Sequence, residues 1–127
     1  MILGIRSVGL VAVLSAGLIC STAFAWGDSD LVKTVKSHEL QSCGGKTLQT
    51  IVEGSAKNLV WTGKENTGSG NLVNIEGKFK NSGALMAMQF KVNDDDSLNL
   101  RLMMVNGMVL SPSDRLFYIN EMCKVVR

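Results

Sequence analysis

The stretch LVNIEGKFKNSGALMAMQFKV, residues 72–92, contains two segments in which apolar and polar side chains alternate. The apolar residues that share one parity are Val73, Ile75 and Phe79 in the first segment and Ala84, Met86, Met88, Phe90 and Val92 in the second. Because successive side chains of a strand point to opposite faces, this period of two predicts two β-strands. The intervening KNSG predicts a tight turn, so the two strands would pair antiparallel.

Similar segments lie on both sides of this pair of strands. Upstream, Leu59 and Trp61 alternate with Val60 and Thr62. Downstream, the alternation assigns Leu98, Leu100, Leu102 and Met104 to the core face and Asn99, Arg101, Met103 and Val105 to the opposite face. Asn-Gly at 106–107 is typical of a two-residue hairpin and predicts a further short strand over residues 108–110.

Helical signals flank the predicted sheet. After Thr47, a residue suited to capping, the residues with helical spacing are Leu48, Ile51, Val52 and Ser55. After Ser111-Pro112, a cap followed by a first-turn proline, the predicted inner stripe is Leu116, Ile119, Met122 and Cys123. The predicted fold class is therefore α+β, an antiparallel meander of four to five strands covered on one face by an N-terminal and a C-terminal helix.

The first 25 residues have the layout of a secretory signal peptide. Arg6 precedes an uncharged apolar run over residues 8–19, and Ala23-Phe24-Ala25 is typical of a cleavage site. An uncleaved anchor is the main alternative, although the run is shorter than the about 20 residues of a membrane span. A lipoprotein signal is less suitable because Ile19 precedes Cys20. We expect residues 26–127 to form one α+β domain, periplasmic or secreted.

Cleavage would leave two of the three cysteines, Cys43 and Cys123. Because an oxidising compartment favours disulfides, we expect these two residues to be paired. The chain has no Cys-x-x-Cys spacing, so a structural role is favoured over a redox-active one.

The charge balance argues against several kinds of partner. Removal of Arg6 would leave 12 of the 13 basic residues against 11 acidic ones, without a run of basic residues. We therefore expect no nucleic acid as a partner, and no stable membrane insertion after the signal is cleaved.

Candidate catalytic and cofactor motifs are incomplete. Gly45-Lys46-Thr47 resembles the end of a phosphate-binding loop, but the required first glycine is replaced by Leu40. His38 is the only histidine, whereas triads and most transition-metal sites need partners for it. Asp94-Asp95-Asp96 lacks the alternating ligands of a calcium loop. We expect a non-enzymatic protein with no catalytic residue, metal or cofactor.

The side of the sheet opposite the predicted core carries several apolar residues, namely Leu72, Leu85, Ala87, Met103 and Val105. An apolar patch on such a face often marks an interaction site, and methionine adapts to varied partners. An equally open alternative is that residues 29–40, with a helix-like pattern, fold over this face.

The order of short motifs also resembles a class of small exported bacterial domains of unassigned function. The motifs are Val35-Lys36, Leu40, Cys43, Thr47, Val52, Trp61, Val73 with Gly77, Met88-Gln89-Phe90-Lys91-Val92 and Cys123. Ser37-His38 stands where that class has a Gly-containing turn. The resemblance covers residues 32–123 and implies fold and export, without any catalytic residue.

These patterns together favour a module that binds another protein in the cell envelope or outside the cell. An accessory of an envelope or secretion system is one form of this hypothesis. The alternative is a periplasmic inhibitor or immunity protein that acts against a toxin or hydrolase. A further alternative, an exported enzyme or small-ligand binder, would require a deep polar pocket near His38.

Overall fold

The computed structural model describes residues 29–126. The helices and strands within them are α1 (Asp30–Ser37), β1 (Glu39–Leu40), β2 (Lys46–Thr47), α2 (Leu48–Ser55), β3 (Ala56–Thr67), β4 (Gly70–Phe79), β5 (Leu85–Val92), β6 (Leu98–Val105), β7 (Met108–Val109) and α3 (Pro112–Val125). A single turn of 3₁₀ helix, Gln41–Cys43, separates β1 from β2. The predicted signal peptide, residues 1–25, lies outside the described residues.

The main sheet is an antiparallel meander. Its strand order, β3-β4-β5-β6-β7, follows the order of the chain, and β1 and β2 form a separate two-stranded ribbon. Consecutive strands joined by short turns pair with their neighbours, as the alternating segments predict. The expected α+β class and the antiparallel meander are confirmed.

All three helices pack on the same face of this sheet. Their buried residues join one cluster with those of the strands; the helical members are Val32, Val35, Leu48, Ile51, Val52, Met122 and Cys123. The strand members include Val73, Ile75, Met86, Met88 and Met103. We call the sheet face that carries this cluster the inner face and the opposite one the outer face.

Short polar side chains begin each helix. The hydroxyls of Ser29, Thr47 and Ser111 each accept a hydrogen bond from the backbone N–H three residues later, at 3.3, 3.2 and 3.2 Å. Such bonds satisfy first-turn donors that have no partner inside the helix. The predicted starts at Thr47 and Ser111 are confirmed, and Pro112 occupies the first turn.

The inner stripe of α3 differs from the predicted one at Leu116, which is 61% exposed. The helix instead turns Arg115 and Tyr118 toward the sheet. Arg115 Nη1 donates a hydrogen bond of 2.7 Å to the carbonyl oxygen of Leu100. Tyr118 stacks on Phe79 with ring centroids 5.7 Å apart. Met122 and Cys123 are buried as predicted.

A β-bulge in β6 determines which of its residues face the core. Gln89 pairs with Leu102, but the next residue of β5, Phe90, pairs with Leu100, so Arg101 is an extra residue in β6. An inserted residue reverses the alternation of all residues beyond it. The sequence prediction for the second half of β6 was therefore wrong: Met103 and Val105 lie on the inner face, opposite Met88 and Met86, whereas Leu102 and Met104 lie on the outer face.

A second irregularity lies between β3 and β4. Lys57 pairs with Lys78, whereas Val60 pairs with Glu76, so two residues of β3 oppose Gly77 alone. Asn58 has a φ of 56°, in the left-handed region. A Cβ atom on Gly77 would lie 2.8 Å from the carbonyl oxygen of Lys57 and 2.8 Å from Leu59 Cδ2. The glycine therefore makes room for the bulged strand.

The turns are formed by the residues that the sequence indicates. Asn106 and Gly107 have φ values of 51° and 80°, which is the conformation of a two-residue hairpin turn of this composition. Gly44 and Gly45, at 70° and 81°, reverse the chain before β2. None of the helices in residues 29–126 is long and apolar enough to cross a membrane.

Candidate functional site on the outer face of the sheet

Cys43 and Cys123 lie at disulfide distance, with Cα atoms 5.4 Å apart and both side chains buried. The pair joins the turn before β2 to the last turn of α3, across 80 positions of sequence. The two cysteines have a Cα separation in the range that a disulfide requires, and the pair lies inside the core, away from the outer face.

Helix α1 leaves the outer face uncovered. Val32 and Val35 are buried in the core cluster. A Cβ atom on Gly63, an inner-face residue paired with Val73, would lie 2.6 Å from Ser29 Oγ. Lys36 Nζ lies 5.2 Å from the ring centroid of Trp61, which is on the same inner face. The alternative that residues 29–40 fold over the outer face is therefore wrong.

One row of residues crosses the outer face over all five strands. The pairing of neighbouring strands places in this row Val60, Glu76, Ala87, Met104 and Val109. Four of the five side chains are apolar, so we call it the apolar row. Val60 and Val109, at its two ends, are 57% and 65% exposed. Leu85, two residues before Ala87 on β5 and on the same face, is 56% exposed.

The five residues predicted to form a binding patch have different positions. Leu85 and Ala87 lie on the outer face as expected. Leu72 is on that face too, between Lys64 and Lys91 in the pairing, but it is only 7% exposed. Met103 is fully buried, and Val105 is half-buried against the core, so these two lie on the wrong face to meet a partner there. The structure therefore brings together two of the five as exposed or half-exposed neighbours on this face.

Three residues of the patch were not predicted from the sequence. The sequence does indicate the face of Val60, because Val60 alternates with Leu59 and Trp61, which pack against the core. The sequence does not indicate the face of Met104 or Val109, because the bulge at Arg101 determines on which face they lie and only strand pairing reveals it.

The next row along the strands, which we call the polar row, contains three polar side chains and Leu102, and hydrogen bonds connect its central members. Gln89 Nε2 donates to Asn74 Oδ1 at 3.0 Å, and Arg101 Nη1 donates to Gln89 Oε1 at 3.2 Å. The amide of Gln89 therefore connects the bulged arginine to the middle of the sheet. These contacts place the guanidinium of Arg101 beside Gln89 on the outer face.

A shallow cavity of about 390 Å³ lies over one end of the outer face. Its lining includes Val60, Leu85, Ala87 and Met104, with Glu76 and Lys78 beside them. A larger groove of about 530 Å³ lies on the helical side, with Phe117 and Val125 of α3 in its lining. The charged side chains that line this groove are Lys80 and Glu121, and Glu121 is paired with Lys124 at 2.8 Å.

The residues considered for catalysis in the sequence lie in a short strand and at helix ends. Lys46 and Thr47 form β2, and Thr47 caps α2. His38 follows the end of α1 as its C-terminal cap and lines none of the three described cavities. Among residues 29–126, no group of three or more histidine, cysteine or acidic side chains could hold a metal ion.

The aspartates of the β5–β6 turn are exposed and serve the turn itself. Asp95 accepts hydrogen bonds from the hydroxyl of Ser97 at 2.6 Å and from its backbone N–H at 3.0 Å. These bonds stabilise the ionised carboxylate and hold the pKa of Asp95 below its usual value, the hydroxyl having the larger effect. Asp94 and Asp95 lie in the turn, and Asp96 adopts a φ of 66°, in the left-handed region that turns use.

Comparison of the whole chain with protein-family models, curated proteins and solved structures gave no match. The resemblance noted in the sequence therefore stays a prediction, and the function must be argued from the geometry of the outer face.

Proposed function

We propose that this chain is an exported, non-enzymatic module that binds another protein, and that its binding surface is the outer face of the sheet. An accessory role in an envelope or secretion system is the form of this function that we favour. The surface consists of the apolar row, Leu85 beside it and the polar row that contains Gln89. The single observation that carries the proposal is the exposure of this row on a sheet face that no helix within residues 29–126 covers.

The composition of the surface supports a protein partner. Val60, Leu85 and Val109 are each more than half exposed. Val60 and Val109 lie at the two ends of the apolar row, and strand pairing connects them through Glu76, Ala87 and Met104. Single exposed apolar residues are ordinary, whereas contiguous ones bordered by polar groups are typical of interaction sites. The hydrogen-bonded amides of Asn74 and Gln89, set on a broad sheet face, also suit a rigid partner surface better than they suit a small molecule.

Two observations support export. The pair Cys43–Cys123 lies at disulfide distance in a buried position, and disulfides persist in oxidising compartments. The N-terminal sequence supplies the predicted signal for reaching such a compartment. We therefore place the proposed interaction in the periplasm or outside the cell.

Site-specific photo-crosslinking in living cells tests the proposal. A photoreactive residue is placed at Leu85 or at Met104 on the outer face. The matched controls are Leu116 and Val125, which are 61% and 59% exposed on α3. The proposal expects a discrete adduct with one protein from both outer-face positions and none from the helix positions.

The identity of the adduct separates the forms of this function. A partner that belongs to an envelope or secretion assembly supports the favoured form, and a toxin or hydrolase supports the inhibitor or immunity alternative. Adducts from the helix positions only would place the binding surface elsewhere. If no position gives an adduct, the proposal is wrong.

A further inference from the structure

The outer face concentrates positive charge although the chain as a whole is nearly neutral. Among residues 29–126, strand pairing and the contact with Gln89 place on this face five basic side chains, Lys57, Lys64, Lys78, Lys91 and Arg101, together with the carboxylate of Glu76. Asp94 lines a cavity beside Lys91 at the edge of this face. The rest of residues 29–126 has six basic and nine acidic residues, so its charge has the opposite sign. The lysines and the arginine lie on four different strands, which is why the sequence shows no basic run.

These cations lie on both sides of the apolar row. Lys57 and Lys78 pair with each other one row beyond Val60 and Glu76. Lys64 and Lys91 lie on the opposite side, in the row that contains Leu72, beyond the polar row. Rows on one face of a sheet are about 7 Å apart, so the two lysine pairs lie within about 21 Å of each other. The surface thus has an apolar centre and a cationic border.

Arg101 adds a directional group to this border. Its side chain is exposed, and one of its guanidinium nitrogens is engaged by Gln89. The remaining N–H groups of an arginine held in this way can meet a carboxylate in a two-pronged contact. A lysine offers only a point charge, so the arginine contributes orientation as well as attraction.

From this arrangement we propose that the partner surface is acidic, with aspartate or glutamate side chains arranged around an apolar centre. The inference rests on the proposed protein-binding function and specifies the partner for the same site. Complementary charge at the border of an interface accelerates association and fixes orientation, while the apolar centre provides most of the retained affinity.

A folded acidic protein fits the face better than an anionic lipid surface does. The amides of Asn74 and Gln89 are fixed at a hydrogen-bonded distance of 3.0 Å, and they present donors and acceptors at set positions. Fluid headgroups offer no matching set of fixed partners.

The test measures association kinetics between the purified protein and the partner found by crosslinking, at low and at high salt. The variant Lys64→Glu/Lys91→Glu should lower the association rate at low salt by about tenfold, because border charges act mainly on association. The control Lys33→Glu/Lys46→Glu makes the same change in net charge away from the outer face and should change the rate by less than about twofold. Glu76→Gln should raise the association rate.

Arg101→Lys keeps the charge but removes the two-pronged geometry, and it should accelerate dissociation more than it slows association. We expect all of these variants to fold, because the substituted side chains are exposed except those of Lys46 and Lys91, which are partly buried. Melting curves of each variant verify this.

The outcomes distinguish this inference from the proposed function. If outer-face adducts form but association is independent of salt, or both double variants behave alike, the acidic-partner inference is wrong and the binding function stands. If no outer-face adduct forms, both are wrong. A third outcome is that no protein adduct forms, the protein binds vesicles rich in anionic lipid, and Lys64→Glu/Lys91→Glu abolishes this binding. That result would show that the outer face binds a membrane surface and not an acidic protein.

Discussion

Met103 lies opposite Met88 in the pairing of β6 with β5, and the two side chains are 0% and 2% exposed. The neighbouring residue, Met104, lies opposite Ala87 on the other side of the sheet. The bulge at Arg101 is responsible for this arrangement, because without it the two methionines would exchange faces. One inserted residue therefore decides which methionine stabilises the core and which contributes to the proposed binding surface.

Truncation of these two methionines should have different effects on stability. Met103→Ala should lower the free energy of unfolding by about 2–5 kcal/mol, because it leaves a cavity in the core. Met104→Ala should lower it by less than about 1 kcal/mol, in the range of surface substitutions. Denaturant unfolding of both variants measures the difference. Equal losses would show that the register of β6 is wrong.

Reduction of the Cys43–Cys123 pair should destabilise the fold. Closure of a loop of 80 positions is worth about 4–5 kcal/mol in the chain-entropy account of disulfides. We therefore expect the unfolding midpoint in denaturant to fall markedly when the protein is reduced. The variant Cys43→Ala/Cys123→Ala should resemble the reduced protein and should not respond to reductant. An unchanged midpoint on reduction of the native chain would contradict this role.

Gly77 should tolerate no side chain, because the bulged segment of β3 occupies the space. Gly77→Ala should lower the free energy of unfolding by about 1–3 kcal/mol, since the new methyl group would contact the backbone of Lys57. Gly68→Ala is the matched control, since nothing lies within 4 Å of its added Cβ, and it should cost less than about 0.5 kcal/mol. If both variants have the same stability, the β3 bulge is not as described.

Asp95 should titrate below its usual pKa of 3.8, because Ser97 stabilises the charged form. A lowered pKa in the folded state adds stability at pH values above the unfolded pKa, and this contribution is lost as the pH falls through the folded pKa. The carboxyl carbon shift of Asp95, followed by NMR against pH, measures the midpoint. Ser97→Ala should raise it toward 3.8, whereas Ser82→Ala, in a different turn, should leave it unchanged. A midpoint that does not move in Ser97→Ala would contradict this cause.

Most of the fold could be predicted because the local signals agree with one another. The helical spacing of Leu48, Ile51, Val52 and Ser55 follows a capping residue, and all four are buried in the structure. Asn106-Gly107 permits the positive φ values that a two-residue hairpin needs. Pattern, caps and turns therefore all indicate the same succession of helices and strands.

The faces of β6 could not be predicted because LNLRLMMV has no residue that marks a bulge. Either methionine suits a core position, so the alternation alone cannot detect an extra residue at Arg101. The prediction that Leu116 faces the core was wrong because the helix turns its neighbour Arg115 inward, where it donates a hydrogen bond to the carbonyl oxygen of Leu100. The basic border was missed because its members are far apart in the sequence and meet only through strand pairing.

The most direct test of the central claim is the dissociation constant of the crosslinked partner for two variants, Leu85→Lys and Leu116→Lys. The two leucines are 56% and 61% exposed, so the substitutions are matched in burial and in charge, and they lie on opposite sides of the domain, one on β5 and one on α3. If the outer face is the binding surface, Leu85→Lys should weaken binding at least about tenfold, or about 1.4 kcal/mol, with Leu116→Lys near the native value. A native dissociation constant for Leu85→Lys, or an equal loss in Leu116→Lys, would contradict the account.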